Sequence, residues 1–325
     1  MAQIALIGLD TLGISLGLAL RQTAQPPTVV GVDRDGAEAR RAQQLGAVER
    51  TELWAANACR NAALVVLNEP FSRLRDMLAA IAESLPPGCV VTSTAPLMAP
   101  ALAWADELLP EGISFIAGHA ILNPLKPVTE PSAELYKQAQ YCIVPSAKAN
   151  TSAMELVSSL ASAIGAQPFF LDAAEHDGLV TAVEGLSGLL GTLLMSAAAE
   201  ASSWRDMRRV AGPAFAQATQ SVQEDPASAV AATRANRENL ARWLETYAAK
   251  LGEARAAILS EDEAQLTRLI TDAHAARDQW LQDSAGANWE NVAEMPKISM
   301  GQMLSHLIWP QRQPPASQQD KKRKK

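Results

Sequence analysis

Cysteine is scarce in this chain, and its three copies, Cys59, Cys89 and Cys142, are scattered. An odd set without paired spacing excludes a disulfide framework and a zinc site, so no metal is expected. It suits a reducing, cytoplasmic setting. Charge is also sparse, at 19% of residues beside 48% hydrophobic ones, which is not the balance of a disordered chain. Positive charge is in deficit, with a formal net charge of −7. Residues 310–325 carry six Lys or Arg against Asp320, which leaves the remainder at −12. An acidic body offers little to a phosphate backbone, so nucleic acid is not an expected partner. No run of about 18 uncharged apolar residues occurs, and no membrane partner is expected. Residues 185–199 are apolar but short, bracketed by Glu184 and Glu200, and read as a buried helix. The first twenty residues lack the basic start of a signal peptide and contain Asp10.

What is present is an alternation. Short Val- and Ile-rich runs at 4–7, 29–32, 64–67, 90–92, 115–117, 141–144 and 168–171 read as strands buried on both faces. Helical patterns fall between them at 12–21, 37–45, 72–84, 98–108 and 152–164. That order predicts an α/β fold, a Rossmann-type doubly wound parallel sheet. After Asp172 no strand is expected as far as residue 284. There Leu240, Trp243, Leu244, Tyr247 and Leu251 recur at helical spacing on one face. The expected organisation is a dinucleotide-binding domain at 1–171, an all-helical substrate and dimerisation domain at 172–285, and a C-terminal extension at 286–325. The extension ends in a disordered basic tail whose Lys-Lys-Arg-Lys-Lys run reads as solubilising.

The first strand runs into Gly8-Leu9-Asp10-Thr11-Leu12-Gly13. Gly8 and Gly13 stand at the first and third positions of the Gly-x-Gly-x-x-Gly dinucleotide fingerprint. Asp10 replaces the second glycine and brings a carboxylate to the place of the pyrophosphate. The second strand ends at Asp33, the acid expected to bind the ribose hydroxyls and repel a 2′-phosphate. Arg34 follows it and softens that preference, so the expected cofactor is NAD or NADP. The alternative is a Rossmann scaffold whose nucleotide site has decayed.

Further segments are Val29-Val30-Gly31-Val32-Asp33-Arg34-Asp35, Ala63-Leu64-Val65-Val66-Leu67, Gly118-His119, Leu171-Asp172-Ala173-Ala174-Glu175-His176-Asp177, Trp204 to Ala211, and Asn236-Arg237-Glu238-Asn239-Leu240. In these the chain resembles the prephenate/arogenate dehydrogenase family of tyrosine biosynthesis. The resemblance implies an oxidoreductase that sends hydride from a ring carbon to the nicotinamide and releases carbon dioxide. It further implies a small-molecule substrate of the prephenate or arogenate type and a homodimer. His119, following a buried strand, is then the partner of the substrate hydroxyl, a task suited to a neutral imidazole. Arg209 matches the family's substrate-binding arginine. Arg205 and Arg208 share its side of a helix and together suit a dicarboxylate. A solvated face paired with Asp206 is the other reading of that cluster. His176, flanked by two acids, reads as an interdomain or capping residue, and His274 and His306 as surface or packing residues.

The chain also departs from the family pattern. Pro96 stands where the family has a serine that supports the histidine, and Met98 where it has a lysine. Ala120 replaces a proline. Glu184 to Gly188 replaces a segment with two histidines. These changes keep open a catalytically impaired nucleotide-binding or regulatory protein on the same dimeric scaffold.

Overall fold

The computed structural model describes residues 3–126, 128–223 and 225–286. It contains an eight-stranded sheet. In chain order the strands are β1 (Gln3–Ile7), β2 (Thr28–Val32), β3 (Arg50–Thr51), β4 (Ala62–Leu67), β5 (Val90–Ser93), β6 (Ser114–Ile121), β7 (Gln140–Pro145) and β8 (Gln167–Phe170). Their order across the sheet is β3-β2-β1-β4-β5-β6-β7-β8. The strand order reverses between β1 and β4, and ligands of open α/β sheets bind outside the carboxyl ends at such a switch point.

Alternate residues of each strand feed two cores. Ile4, Leu6, Leu64 and Val66 pack on one face beneath α1 (Thr11–Arg21), α2 (Gly36–Gln44) and α6 (Thr151–Ala163). Ala5, Ile7, Val65 and Leu67 pack on the other, beneath α3 (Ala55–Cys59), α4 (Phe71–Ile81) and α5 (Met98–Leu108). Layers on both faces explain why the strands carry no polar alternation.

The Rossmann-type α/β fold is as expected, with three differences. The short strand β3 and helix α3 have too few residues to leave a periodic signal. The sheet is not wholly parallel, because β6 and β7 run antiparallel, with Ala117 opposite Val144 and His119 opposite Cys142. That pairing extends β6 to Ile121, so His119 lies inside a strand rather than after one. The reason is register. An antiparallel partner can extend a strand beyond its apolar run, which a local pattern does not show.

The sheet ends at Phe170 and helices follow. One continuous helical run, Ala173–Glu200, joins α7 (Ala173–Val180), a π-helical turn (Thr181–Gly185) and α8 (Leu186–Glu200). Then come α9 (Trp204–Val210), α10 (Pro213–Ala218), α11 (Pro226–Ala235), α12 (Arg237–Leu259) and α13 (Glu263–Gly286). The expected buried helix at 185–199 is corrected. Within α8 only Leu186, Gly191 and Ala198 are buried. Leu193 and Leu194 of this apolar helix are exposed. By length and composition the 28-residue run also suffices to cross a membrane. On α12, Leu240 is buried, but Trp243, Tyr247 and Leu251 are exposed. The helical region is tied to the sheet through α11, which lies against α4. There Ser72 and Ser228 hydroxyls meet at 3.0 Å, and Asp225 accepts from both Ser228 and Ser72. The expected tail lies outside the described residues, as do His306 and nearly all of 286–325.

Candidate functional site

Two groups of residues carry chemistry. The first surrounds the loop after β1. Gly8 has φ +95°, and a Cβ there would meet the Asn68 carbonyl oxygen at 2.0 Å. A Cβ on Gly13 would meet the Gly8 carbonyl oxygen at 2.0 Å. Both glycines are therefore required by close backbone approach, as the fingerprint implies. Asp33 accepts from Leu9 N at 2.6 Å and from Asp35 N at 2.7 Å, fastening this loop to the end of β2. A cleft of about 550 Å³ opens here, lined by Gly8, Asp10, Asp33, Arg34, Asn68 and Glu69 among others.

Asp10 is the N-cap of α1. Its Oδ1 accepts from Gly13 N at 2.9 Å and from Asn68 Nδ2 at 2.7 Å. It thus supplies the negative charge that the helix N-terminus attracts. Among the described residues, the N–H groups of Thr11 and Leu12 have no protein acceptor. The cleft fits a dinucleotide on that count: two donors remain for a pyrophosphate oxygen, and Asp33 lines the cleft just past β2. The expected result for Asp10→Gly is dinucleotide binding tighter by roughly ten-fold, since one like charge goes and one N–H is freed. Its stability should fall by about 1 kcal/mol as the Asn68 bond is lost. Calorimetric titration with NAD and a thermal melt measure the two. Unchanged affinity would mean that Asp10 does not face the phosphates.

Glu69, also in the cleft, was not foreseen. Burial holds it above the usual carboxylate range, the Arg73 guanidinium opposes that, and Asp33 adds to it.

The second group centres on His119. Its Nδ1 lies 3.2 Å from His176 Nε2, and its Nε2 lies 3.7 Å from Glu184 Oε2. His176 Nδ1 is 2.9 Å from Asp177 Oδ1. Asp177 in turn accepts from Met98 N at 2.8 Å and Ala99 N at 3.0 Å, at the start of α5. The π turn delivers Glu184; such turns recur at functional sites. Asn236, at the start of α12, donates to the Asp177 carbonyl at 2.9 Å and so ties α12 to this group. Burial drives His119 down to about 3; the neighbouring His176 adds to this and Asp177 opposes it. Its imidazole is therefore neutral near pH 7.

The loop after β5 touches both groups. Thr94 Oγ1 donates to Asn68 Oδ1 at 2.8 Å, and Met98 and Ala99 bind Asp177. Neither Ser93 nor Thr94 bonds to His119 in place of the missing serine. Ser93 Oγ is buried without a partner and Thr94 is engaged by Asn68.

Of the two readings of His176, interdomain or capping, the capping one is corrected, while its contact with His119 of β6 agrees with the other. The cap of α7 is Asp172, which accepts from Glu175 N, while His176 is fully buried against His119. The adjacent acids in the Glu-His-Asp segment were the available signal. Its meaning lay in the 57-residue separation from His119, which spacing does not reveal. Arg205, Arg208 and Arg209 lie on α9, exposed, and the structure does not bring them to His119. Among the described residues they have no ion pair, so a face paired with Asp206 is not formed. His274 is on the surface, 3.1 Å from Asp278.

Comparisons with known proteins agree with this architecture. Residues 16–169 match the prephenate dehydrogenase nucleotide-binding domain, and residues 172–272 match the prephenate dehydrogenase dimerization domain. The first match begins beyond the Gly8–Gly13 loop. Prephenate dehydrogenase of Bacillus subtilis (strain 168) is 22% identical over 278 residues, covering 85% of this chain and 75% of the relative. Among solved structures, A. aeolicus prephenate dehydrogenase in complex with hydroxyphenyl propionate and NAD+ superposes with a TM-score of 0.75 at 18% identity. It covers 86% of this chain and 98% of that one. Synechocystis arogenate dehydrogenase superposes with a TM-score of 0.66 at 20% identity, over 86% of this chain and 99% of that one. With a nucleotide-binding domain and a dimerization domain matched in order over most of its length, this chain belongs to the prephenate dehydrogenase family.

Proposed function

We propose that the protein oxidises prephenate or arogenate with NAD as hydride acceptor. The observation that carries this reading is His119, a buried imidazole held neutral near pH 7 at the far end of β6. A bound nicotinamide would supply the hydride acceptor for the ring carbon that bears the hydroxyl. His119 accepts the hydroxyl proton as that hydride leaves. The ring carboxylate departs as carbon dioxide, its bonding pair completes the aromatic ring, and the oxygen recovers its proton to end as a phenol. Gly8 and Gly13 let the backbone close on the dinucleotide. Asp33, with Arg34 beside it, binds the adenosine ribose. The cleft is lined by Asp10, Asp33, Asp35, Glu38 and Glu69 against only Arg34 and Arg73, which favours NAD over a 2′-phosphate. Arg205 and Arg209, which within one chain lie exposed on α9 and are not brought to His119, remain the proposed partners of the substrate carboxylates.

In this reading residues 1–171 hold the nucleotide and 172–285 complete the substrate site and the dimer. Exposed Leu193, Leu194, Trp243, Tyr247, Leu251 and Ile258 supply an apolar surface for a second copy. Cys59, Cys89 and Cys142, buried and unpaired, suit a reducing cytoplasm.

The test is purified protein given prephenate or arogenate with NAD or NADP, following reduced nicotinamide. Turnover with NAD is expected, and light scattering is expected to give twice the chain mass. Intact NAD binding with no turnover of either substrate would overturn the enzymatic reading.

A further inference from the structure

His119 and His176 meet edge-on, with ring centroids 5.3 Å apart and planes at 76°. The direction of the hydrogen bonds along this row follows from its fixed end. Asp177 Oδ1 accepts from Met98 N and Oδ2 from Ala99 N. A carboxylate that accepts at both oxygens has only lone pairs to offer a third neighbour. His176 Nδ1, 2.9 Å from Oδ1, is therefore the nitrogen that carries hydrogen. In a neutral imidazole the other nitrogen then accepts. His176 Nε2 lies 3.2 Å from His119 Nδ1 and takes its hydrogen from there. That leaves His119 Nε2 with a bare lone pair on the side of Glu184, whose side chain is 43% exposed. The 3.7 Å between Nε2 and Glu184 Oε2 is longer than a hydrogen bond.

We propose that Asp177 and His176 are positioning residues that lock His119 in its Nδ1–H tautomer, so that Nε2 faces the substrate hydroxyl as a base. This rests on the oxidation proposed above and says how the histidine is held for it. Pro96 has no hydroxyl with which to orient His119, and the row orients the ring from its opposite nitrogen. The anchor is made of backbone N–H groups, so the methionine at position 98 serves as well as any other residue there.

The groups facing His119 are His176 and Asp177 from α7, Glu184 from the π turn and Cys142 from β7. Burial pushes the Cys142 thiol up to about 12, with Glu184 adding to it, so the thiol stays neutral. The reversed row would set a lone pair of His176 against a lone pair of Asp177, so one direction is strongly preferred.

The test is Asp177→Asn. Its side-chain oxygen, in the Oδ2 place, can keep the bond from Ala99 N, which sets the NH2 group in the Oδ1 place toward His176 Nδ1 at the cost of the Met98 N bond. Both imidazoles then reverse, and His119 carries its hydrogen on Nε2. Long-range proton–nitrogen spectra of histidine-labelled protein read this without turnover. The chain has four histidines, so the His119 signals are assigned by their loss in His119→Gln. The wild type should show a bare Nε2 and Asp177→Asn a bare Nδ1. In the same variant kcat should fall by roughly 10²–10⁴, the scale seen when a catalytic imidazole is held in the wrong tautomer, with the Kd for NAD unchanged. His176→Gln keeps an acceptor for His119 Nδ1–H and should retain the tautomer and part of the rate, whereas His176→Leu should lose both. That pair carries the comparison should Asp177→Asn fail to fold. Hydrogen on Nε2 of His119 in the wild type overturns the proposal, as does an unchanged tautomer in both Asp177→Asn and His176→Leu. A bare Nε2 in a protein that oxidises neither prephenate nor arogenate upholds the row and overturns the functional reading instead.

Discussion

Replacing His119 with glutamine should lower kcat by roughly 10²–10⁴, the contribution typical of a positioned general base. Glutamine is chosen because its amide can still donate to His176 Nε2, now 3.2 Å from the imidazole. The buried partner is then not orphaned, and the loss reads as chemistry rather than unfolding. The nucleotide groups do not include His119, so the Kd for NAD should stay as in the wild type. An unchanged kcat would remove His119 from the mechanism. The same variant has a signature in stability. Burial drives His119 down to about 3, from an ordinary value near 6.5. Between those pH values the unfolded chain binds a proton at this residue and the folded chain does not. Folding stability therefore falls as pH falls through that window, by at most about 1.4 kcal/mol per pH unit. Glutamine takes up no such proton. The decline of the melting temperature from pH 6.5 toward 3 should be shallower in His119→Gln than in the wild type.

Gly8→Ala is the second large effect, and it acts on the fold and the cofactor together. Gly8 adopts φ +95°, where a Cβ is strained. That Cβ would also lie 2.0 Å from the Asn68 carbonyl oxygen and 2.6 Å from its carbon. Both are backbone atoms just past β4, so no rotamer change relieves the overlap. The loop must leave β4 or the strand must shift. We expect a loss of about 2–4 kcal/mol from strain and overpacking combined. Dinucleotide binding should fall with it, because the same movement carries the Thr11 and Leu12 N–H groups away from the cleft. Denaturant midpoints and NAD titration measure the two losses. Gly36→Ala is the control. Its added Cβ would meet only the end of the Arg40 side chain, at 3.4 Å, in the first turn of α2. It should be neutral or slightly stabilising, as alanine is the better helix former. Equal behaviour of the two variants would refute the close-approach argument.

The readable part of the fold was the part encoded locally. Val-rich strands buried on both faces and amphipathic helices are properties of short windows, and β1, β2, β4, β5 and β7 fall where those windows place them. The need for glycine at positions 8 and 13 was legible because a tight turn constrains residue type and spacing at once. Asp10 was legible as a misplaced charge. Its actual occupation, capping α1 while held by Asn68, depended on a residue 58 positions away. His119 stood out through the segment around it, yet its place inside β6 depended on β7 as an antiparallel partner. The helix at 185–199 was misjudged for a different reason. Apolar composition shows that a surface will be covered, but does not say whether by the same chain or by another.

By itself, then, the sequence determined the layers, the nucleotide loop and the family, since each rests on periodicity or on motifs a few residues long. Only the tertiary structure decided that His176 and Asp177 stand behind His119. Their roles come from hydrogen-bond geometry between α5, β6 and α7, with spans of 57 and 79 residues between the partners. Lone pairs and hydrogens acquire a direction only when such groups are brought within about 3 Å of one another, and that distance is set by the packing of whole elements.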